Sequence, residues 1–169
     1  MGKEIEKKWV GIPTDELKEF CRTADFVEIK DYYFNDYTRL RNMNGKWYIT
    51  IKSSGTDIRD EYEFEINKSQ IDFLPSPCLV KKRFYYPYKG HSFEINLFRD
   101  ISMCLDPYRA INFILIECEL KSPDEEIELP SFIGKNVTYD SSFYGRTLFK
   151  RLVHGYKEPI RDVVELKTV

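Results

Sequence analysis

The sequence lacks the features on which several protein classes depend. Its 169 residues include two histidines and four widely spaced cysteines with no CxxC pair, which argues against the usual zinc sites and a disulfide framework. No apolar run approaches the roughly 18 residues of a membrane span, and the first ten residues carry five charges. We therefore expect a cytoplasmic protein with free thiols.

An excess of charge of one sign is also absent. Lys and Arg number 26 and Asp and Glu number 28, so the formal net charge is −2 although 32% of the residues are charged. A simple nucleic-acid-binding protein usually has a basic excess, so this balance argues against that class. No linker, repeat or low-complexity tract divides the chain. We expect one domain over residues 1–169, with its core in residues 3–153 and a tail in 154–169.

Polar and apolar residues alternate in segment after segment, a period typical of β-strands. Eight strands are predicted, enough to close a barrel: Lys3–Trp9, Phe26–Phe34, Thr38–Met43, Lys46–Ser53, Arg59–Ile66, Cys78–Tyr86, Ser92–Phe98 and Asn112–Leu120. Two dipeptides, Asn44–Gly45 and Lys89–Gly90, are hairpin-turn signals, so neighbouring strands should run antiparallel. Short helices are predicted at Pro13–Arg22, Asn67–Phe73 and Ser141–Val153. The fold class is α+β, mainly β.

Each strand places charged residues on one face and large apolar residues on the other. The clearest is the fifth, where Arg59, Glu61 and Glu63 alternate with Tyr62 and Phe64. One such strand is usually a surface strand with its charges in water. These faces, however, are almost purely Glu, Lys and Arg, each mainly of one sign, and like charges repel unless an ion or ligand lies between them. We therefore predict a closed antiparallel barrel with a charged lumen.

Such a lumen suits a linear triphosphate bound together with divalent cations. Arg and Lys side chains contact phosphate oxygens, and carboxylates hold Mg²⁺ or Mn²⁺ through oxygen ligands. The short helices would pack outside the barrel. An exposed apolar outer face would favour a homodimer.

The residues 4–8, with the pattern E-x-E-x-K, resemble the signature of the CYTH superfamily, or triphosphate tunnel metalloenzymes. The resemblance covers roughly residues 3 to 150 and keeps the family's order through later elements: Arg39-x-Arg41, Lys52, the R-x-E-x-E run from Arg59, Lys81-x-Arg83, Glu94, Glu117-x-Glu119 and Val137-Thr138 with Asp140. It implies an eight-stranded tunnel, dependence on Mg²⁺ or Mn²⁺, and a substrate that contains a triphosphate group.

The resemblance also implies roles for individual residues. The metal ligands would be Glu4, Glu6, Glu61, Glu117 and Glu119. The phosphate-binding residues would be Lys8, Arg39, Arg41, Arg59, Lys81 and Arg83. The catalytic residues would be Lys52, Tyr33, Glu63 and Glu94. Lys52 resembles a lysine that works with a tyrosine in some members, and Tyr33 is favoured over Tyr32 because it shares its parity with Asp31. The resemblance also implies a C-terminal helix near one mouth of the tunnel, from which Arg146 could reach the ligand.

Two positions depart from the family pattern. Asn96 stands where an aspartate is frequent, and Asn136 replaces an acidic residue before Val137. An amide cannot act as a base, so the number of metals, one or two, stays open.

Three functions also remain open. The first is hydrolysis of tripolyphosphate, a nucleoside triphosphate or thiamine triphosphate by metal-activated water at the terminal phosphorus. The second is a class IV adenylate cyclase that converts ATP to cyclic AMP and pyrophosphate. The third is a non-catalytic binding module, for which a triphosphorylated RNA 5′ end is one ligand. Hydrolysis is favoured because no dedicated base pocket is evident.

Overall fold

Nine strands and two α-helices make up the part of the chain that the computed structural model describes, residues 2–55, 58–74, 78–98 and 113–154. The strands are β1 (Gly2–Gly11), β2 (Val27–Tyr33), β3 (Thr38–Met43), β4 (Lys46–Lys52), β5 (Ile58–Ile66), β6 (Leu79–Tyr88), β7 (His91–Phe98), β8 (Phe113–Glu119) and β9 (Ile133–Asn136). The helices are α1 (Asp15–Thr23) and α2 (Gly145–His154). The predicted tail from residue 155 onward and Cys104 lie outside the described residues.

The strands form a closed antiparallel barrel with the order β5-β4-β3-β2-β6-β7-β8-β1. The ring closes because β1 is long enough to pair twice: residues 2–5 pair with β5, and residues 6–10 pair with β8. The predicted eight-stranded barrel is confirmed. The ninth strand, β9, pairs with β1 at Trp9 and Gly11 and was not predicted, since its four residues are too few to show alternation.

Two tight hairpins set the register of neighbouring strands. Both predicted turn dipeptides have positive φ angles, 49° and 85° at Asn44 and Gly45 and 45° and 84° at Lys89 and Gly90. Two consecutive left-handed residues are the requirement of a type I′ turn, whose twist matches that of the strands. The hairpin predictions are therefore confirmed.

The helix predictions are confirmed in part. Helix α1 begins where expected, because the Thr14 side chain accepts a hydrogen bond from the Leu17 N–H and caps the first turn. The predicted helix at Asn67–Phe73 is wrong, since only a 3₁₀ helix at Lys68–Gln70 forms. That segment buries no residue, so it lacks the packing that stabilises short helices.

The predicted helix at Ser141–Val153 is divided into two elements. A 3₁₀ helix spans Ser141–Phe143, and α2 follows after Tyr144, whose extended backbone (φ −70°, ψ 143°) separates them. Gly145 therefore starts a helix and does not interrupt one.

The main hydrophobic core lies outside the barrel. The outward residues of β1, β6, β7 and β8 pack beneath α1 and the segment around Phe132 in one buried cluster: Trp9, Leu17, Phe84, Phe93, Ile95, Leu97, Ile114, Ile116, Cys118, Leu120 and Phe132. Burial of this many large apolar side chains is the dominant favourable term for such a fold. One side of the barrel is thus fully covered.

The opposite side of the barrel exposes apolar residues. Ile51 on β4 and Tyr62 and Phe64 on β5 keep 44%, 42% and 55% of their surface accessible. The homodimer expected from such a face stays a prediction. Neither helix in the described ranges has the length and apolar character required to cross a bilayer.

The covered and exposed sides should respond differently to the same substitution. Ile116→Ala removes a side chain with no exposed surface and should lower the free energy of unfolding by about 3 kcal/mol. Ile51→Ala, its matched control on the open side, should cost less than about 1 kcal/mol. Urea unfolding of both variants measures the difference, and equal losses would show that the open face is covered as well.

Candidate active site

The barrel encloses a cavity of about 230 Å³ lined by eight acidic and eight basic side chains. All fifteen residues predicted from the sequence as site residues line it: Glu4, Glu6, Lys8, Tyr33, Arg39, Arg41, Lys52, Arg59, Glu61, Glu63, Lys81, Arg83, Glu94, Glu117 and Glu119. The charged strand faces therefore point inward, as the alternation predicted. The assigned roles of these residues stay predictions.

One end of the cavity is acidic and is held by bridging cations. Lys52 Nζ lies 2.9 Å from Glu4 Oε2 and 3.1 Å from Glu61 Oε2. Arg59 contacts Glu4 at 2.9 Å and Glu6 at 3.0 Å. Lys52 thus joins carboxylates of two strands, and Arg59 joins two successive inward-facing carboxylates of β1. Both cations offset the repulsion between the carboxylates that they join.

Two pairs of carboxylates stand directly opposite each other across strand pairs. Glu6 faces Glu119 between β1 and β8, and Glu94 faces Glu117 between β7 and β8. Directly opposed like charges destabilise a sheet. Partial burial together with Glu4, Glu6 and Glu61 raises the pKa of Glu119. Burial, reinforced by Glu117 and opposed by Arg83, raises the pKa of Glu94 to about 6.

Positive and negative side chains are more evenly matched in the middle of the cavity. Lys8 Nζ lies 2.9 Å from Glu6 and 3.2 Å from Glu117, and Arg83 lies 3.0 Å from Glu94. Burial alone would raise the pKa of Glu117, but Lys8 and the other nearby cations outweigh it and hold that pKa well below its usual range. Glu117 is consequently charged at neutral pH.

The other end of the cavity is basic and is organised by one carboxylate. Asp31 is fully buried and accepts two hydrogen bonds from Arg41, at 2.7 and 2.9 Å. Arg39 Nε and Lys81 Nζ lie 3.7 and 3.8 Å from the same carboxylate. Burial would raise the pKa of Asp31, but Arg41 and Arg39 lower it strongly. Three basic residues therefore share a single negative charge.

Among the described basic residues that line the cavity, Lys81 has a strongly lowered pKa. Burial, together with the nearby Arg83 and Arg41, lowers the pKa of Lys81 to about 7, and Asp31 offsets only part of this effect. A bound anion beside Lys81 would favour its charged form.

Some buried polar atoms in the cavity have no hydrogen-bond partner among the described residues. They include Nε of Arg39 and Nε of Arg59. Buried guanidinium N–H groups are rarely left unpaired, because the loss of hydration is not recovered. Both donors are suited to the oxygens of a bound anion.

Asn96 has a structural role that its place in the sequence did not reveal. The fully buried amide accepts a hydrogen bond from Arg83 Nε at 2.8 Å and donates to Glu117 Oε1 at 2.9 Å and to the Leu115 carbonyl at 3.1 Å. A carboxylate could not donate these last two bonds. The amide thus connects the basic strand β6 to the acidic strand β8.

An apolar plug fills the lumen beyond the basic end. Inward side chains of four strands meet residues that follow β9, and together they form a second buried cluster: Val10, Leu79, Phe98, Leu115, Val137, Phe143 and Leu148. The Val137-Thr138 segment fixes this plug to β1, since the Val137 N–H bonds to the Lys8 carbonyl at 2.8 Å and the Thr138 hydroxyl accepts from the Lys8 N–H at 3.0 Å.

Sequence reasoning missed two contributors to the cavity. Asp31 was used only to judge parity, although it organises the basic end. Tyr144 was not singled out; it lines the cavity at the start of α2 and is 4% exposed. The Val137-Thr138 motif ahead of α2 was the one sequence signal near Tyr144. Arg146 lines the cavity and donates to the Asp36 carbonyl at 3.1 Å, while its contact with a ligand stays a prediction.

Lys52 and Tyr33 both line the cavity but have different surroundings. Lys52 contacts Glu4 and Glu61, whereas the Tyr33 ring packs on Phe149 with centroids 5.2 Å apart. Burial and the nearby Asp31 raise the pKa of Tyr33 to about 12, and Arg39 and Arg41 offset only part of this effect. Asp31 is a neighbour of both Tyr33 and Lys81, so the lysine near Tyr33 is Lys81 and not Lys52. Tyr32 instead packs against Trp47, which agrees with the choice of Tyr33.

The acidic end has the chemistry that a divalent cation requires. Glu4, Glu61, Glu63 and Glu119 also line an adjoining depression at the end of the barrel near Leu120, so carboxylate oxygens concentrate there. Such oxygens are the ligands preferred by Mg²⁺ and Mn²⁺. No group of three or more potential ligands is already gathered within the described ranges. A cation would bind there by displacing Lys52 or Arg59 from its carboxylates.

Comparison with known proteins agrees with this geometry. A curated inorganic triphosphatase of Acetivibrio thermocellus is 29% identical over 167 residues, covering 94% of this chain and 100% of that protein. The solved inorganic triphosphatase NE1496 has a TM-score of 0.55 and 23% identity, covering 88% of this chain and 95% of its own. The resemblance to the CYTH superfamily is confirmed.

One more solved structure is similar to this chain in fold. A candidate adenylate cyclase of Bacillus halodurans has a TM-score of 0.50 and 17% identity, over 73% of this chain and 84% of that one, which shows likeness of fold alone. No family model matches the chain.

The side-chain amide of Asn96 should stabilise the folded protein at neutral pH. Asn96→Asp replaces a donor to Glu117 with a carboxylate and should lower the free energy of unfolding by about 3 kcal/mol at pH 7. Because Glu94 and Glu117 would raise the pKa of the new acid above its unfolded value, the loss should shrink as pH falls. Urea unfolding between pH 4 and 8 measures this dependence.

Asn136→Asp is the matched control. Asn136 is exposed, and its side-chain oxygen accepts from the Thr138 N–H at 3.0 Å, a bond that a carboxylate also makes. Its stability should change by less than about 0.5 kcal/mol. A pH-independent loss in Asn96→Asp would contradict the electrostatic explanation.

Binding of a polyanion should protonate Lys81. Calorimetric titration of tripolyphosphate in buffers of different ionisation enthalpy should show uptake of about one more proton by the wild type than by Lys81→Met at pH 8, since Lys81 is then mostly neutral. At pH 6 the two proteins should agree. Equal proton uptake at pH 8 would show that Lys81 is already charged before the ligand binds.

Proposed function

We propose that the chain is a divalent-metal-dependent hydrolase of a triphosphate, with inorganic tripolyphosphate as the favoured substrate. The observation that carries the proposal is the basic end of the closed cavity, where Arg39, Arg41 and Lys81 share the single carboxylate of Asp31. Because these cations are buried and incompletely neutralised, a bound polyanion would complete their charge balance. The curated relative and NE1496 are both inorganic triphosphatases, which supports the same conclusion.

The size of the cavity favours a compact substrate. Pockets for drug-sized ligands have volumes of about 300–1,000 Å³, whereas this cavity measures about 230 Å³ and charged residues dominate its lining. A nucleoside would require an apolar, aromatic extension, and the plug occupies the lumen beyond the basic end. We therefore place tripolyphosphate ahead of nucleoside or thiamine triphosphates.

The divalent cation, Mg²⁺ or Mn²⁺, would be held by the acidic end of the cavity. The residues that fit are Glu4, Glu6, Glu61 and Glu119, with Glu117 at the edge of the set because Lys8 and Arg83 already neutralise it. When bound, the cation neutralises phosphate oxygens and lowers the pKa of coordinated water. Partial burial and the same crowding of negative charge together raise the pKa of Glu119.

The chain's own residues would position the substrate and move a proton. Lys8, Arg39, Arg41, Arg59, Lys81 and Arg83 would hold the phosphates in line for attack, which supplies much of the acceleration in phosphoryl transfer. Water attacks the terminal phosphorus, the bond to the bridging oxygen breaks, and orthophosphate and pyrophosphate leave. Glu94 would accept the proton from water, since a pKa of about 6 suits a base near neutrality.

Glu63 is the second candidate base. Its carboxylate accepts a hydrogen bond from the Thr50 hydroxyl at 3.0 Å, which orients it toward the cavity that it lines. Comparison of the pH–rate profiles of Glu94→Gln and Glu63→Gln would decide between the two residues, because the base is the one whose loss removes the acidic limb.

Incubation of the protein with tripolyphosphate, ATP, GTP and thiamine triphosphate, each with Mg²⁺ or Mn²⁺, tests the proposed reaction. We expect orthophosphate release, fastest from tripolyphosphate and absent with EDTA. Pyrophosphate together with cyclic AMP from ATP would identify a cyclase. Tight binding of tripolyphosphate without turnover over hours would identify a binding module.

Loss of the carboxylate of Glu119 should separate activity from stability. Glu119→Gln should lose metal-stimulated hydrolysis by at least about 100-fold, as expected for an electrostatic group at the reaction site. In EDTA the same variant should be at least as stable as the wild type at pH 7, because a carboxyl with a raised pKa is destabilising when ionised. Phosphate release and thermal unfolding measure the two effects.

Glu126→Gln is the control, since Glu126 is exposed in the segment after β8 and lies outside the cavity. It should retain full activity. Full activity of Glu119→Gln would remove the proposed metal site.

A further inference from the structure

Tyr144 lines the cavity, although the sequence analysis did not assign it to the site. Its hydroxyl oxygen is buried and has no hydrogen-bond partner among the described residues. The residue lies between the 3₁₀ helix at Ser141–Phe143 and α2, and only 4% of its surface is exposed. A phenylalanine would fill the same space without this loss of hydration, so the hydroxyl is not explained by packing.

The surroundings of the Tyr144 ring indicate which ligand would pair with the hydroxyl. Lys8 Nζ lies 5.4 Å from the ring centroid, and the guanidinium carbons of Arg59 and Arg146 lie at 5.7 and 5.5 Å. These three cations come from β1, β5 and α2. An anion that contacts these cations would therefore lie near the Tyr144 side chain.

The backbone next to Tyr144 also belongs to the cavity wall. Gly145 and Arg146 line the cavity and begin α2, where the first N–H groups of a helix lack intrahelical acceptors. A Cβ on Gly145 would stand 2.2 Å from the Tyr33 hydroxyl oxygen, so this segment fits closely against Tyr33. The segment that carries Tyr144 is thus packed directly against another cavity residue.

We propose that Tyr144 is a substrate-binding residue whose phenol hydroxyl donates a hydrogen bond to a phosphate oxygen of the bound polyanion. The inference rests on the proposed function and extends it, because it adds a neutral donor to a set of predicted phosphate-binding residues that are otherwise all cations. A neutral donor adds a directional contact without increasing the positive charge that Lys8, Arg59 and Arg146 already concentrate there.

The variant Tyr144→Phe tests this role because it keeps the ring and removes only the hydroxyl. Calorimetric titration of tripolyphosphate in EDTA should show binding weakened by about tenfold or more, the usual effect of losing a hydrogen bond to a charged group. The melting temperature of the free protein should stay the same or rise, since the hydroxyl has no partner to lose.

Tyr86→Phe is the matched control. The Tyr86 hydroxyl donates to Glu16 at 3.1 Å on the outside of the barrel, so its removal should leave the affinity for tripolyphosphate unchanged and lower the melting temperature slightly. The opposite pattern in the two variants is the expected result.

The outcomes separate this inference from the proposed function. Equal affinity of wild type and Tyr144→Phe would overturn the role of Tyr144 and leave the proposed function in place. A fall in the melting temperature of Tyr144→Phe would show that the hydroxyl has a protein partner and would also overturn it. Failure of the wild type to bind tripolyphosphate would overturn both.

Discussion

The structure depends on the compensation of charge inside a closed barrel. A charged strand face can turn away from water only if opposite charges meet it, and here acidic and basic strands meet across the lumen. Lys52 and Arg59 join carboxylates at one end, and Asp31 joins three basic residues at the other. The compensation is complete in the middle and incomplete at both ends, which is where a cation and a polyanion would be accommodated.

This inward arrangement of charge reverses the usual position of the core. The apolar faces of β1, β6, β7 and β8 are covered by α1 and the segment around Phe132, so hydrophobic stabilisation is supplied from outside the barrel. Inside the barrel, the plug is the buried apolar cluster among the described residues. Phe143 of the plug directly precedes Tyr144, which lines the cavity, so contacts that stabilise the fold also shape the site.

Much of the fold could be predicted because alternation is a local property. Strand bounds, inward and outward faces and both type I′ turns follow from the period of two and from Asn-Gly and Lys-Gly pairs. The short strand β9 and the break at Tyr144 could not be predicted. Neither has a distinctive local pattern. Strand β9 forms by pairing with β1, and the extended backbone at Tyr144 separates the 3₁₀ helix from α2, so both depend on tertiary contacts.

The sequence by itself determined which charged strand residues line the cavity, because the side-chain parity of a strand is set by the backbone and needs no knowledge of its neighbours. Tertiary structure alone decided which charges meet. The pairing of Asp31 with Arg41, the bridge made by Asn96 and the burial of Tyr144 depend on register and on how the chain closes, and these bring together residues far apart in sequence. Their pKa values and hydrogen-bond demands follow from that assembly.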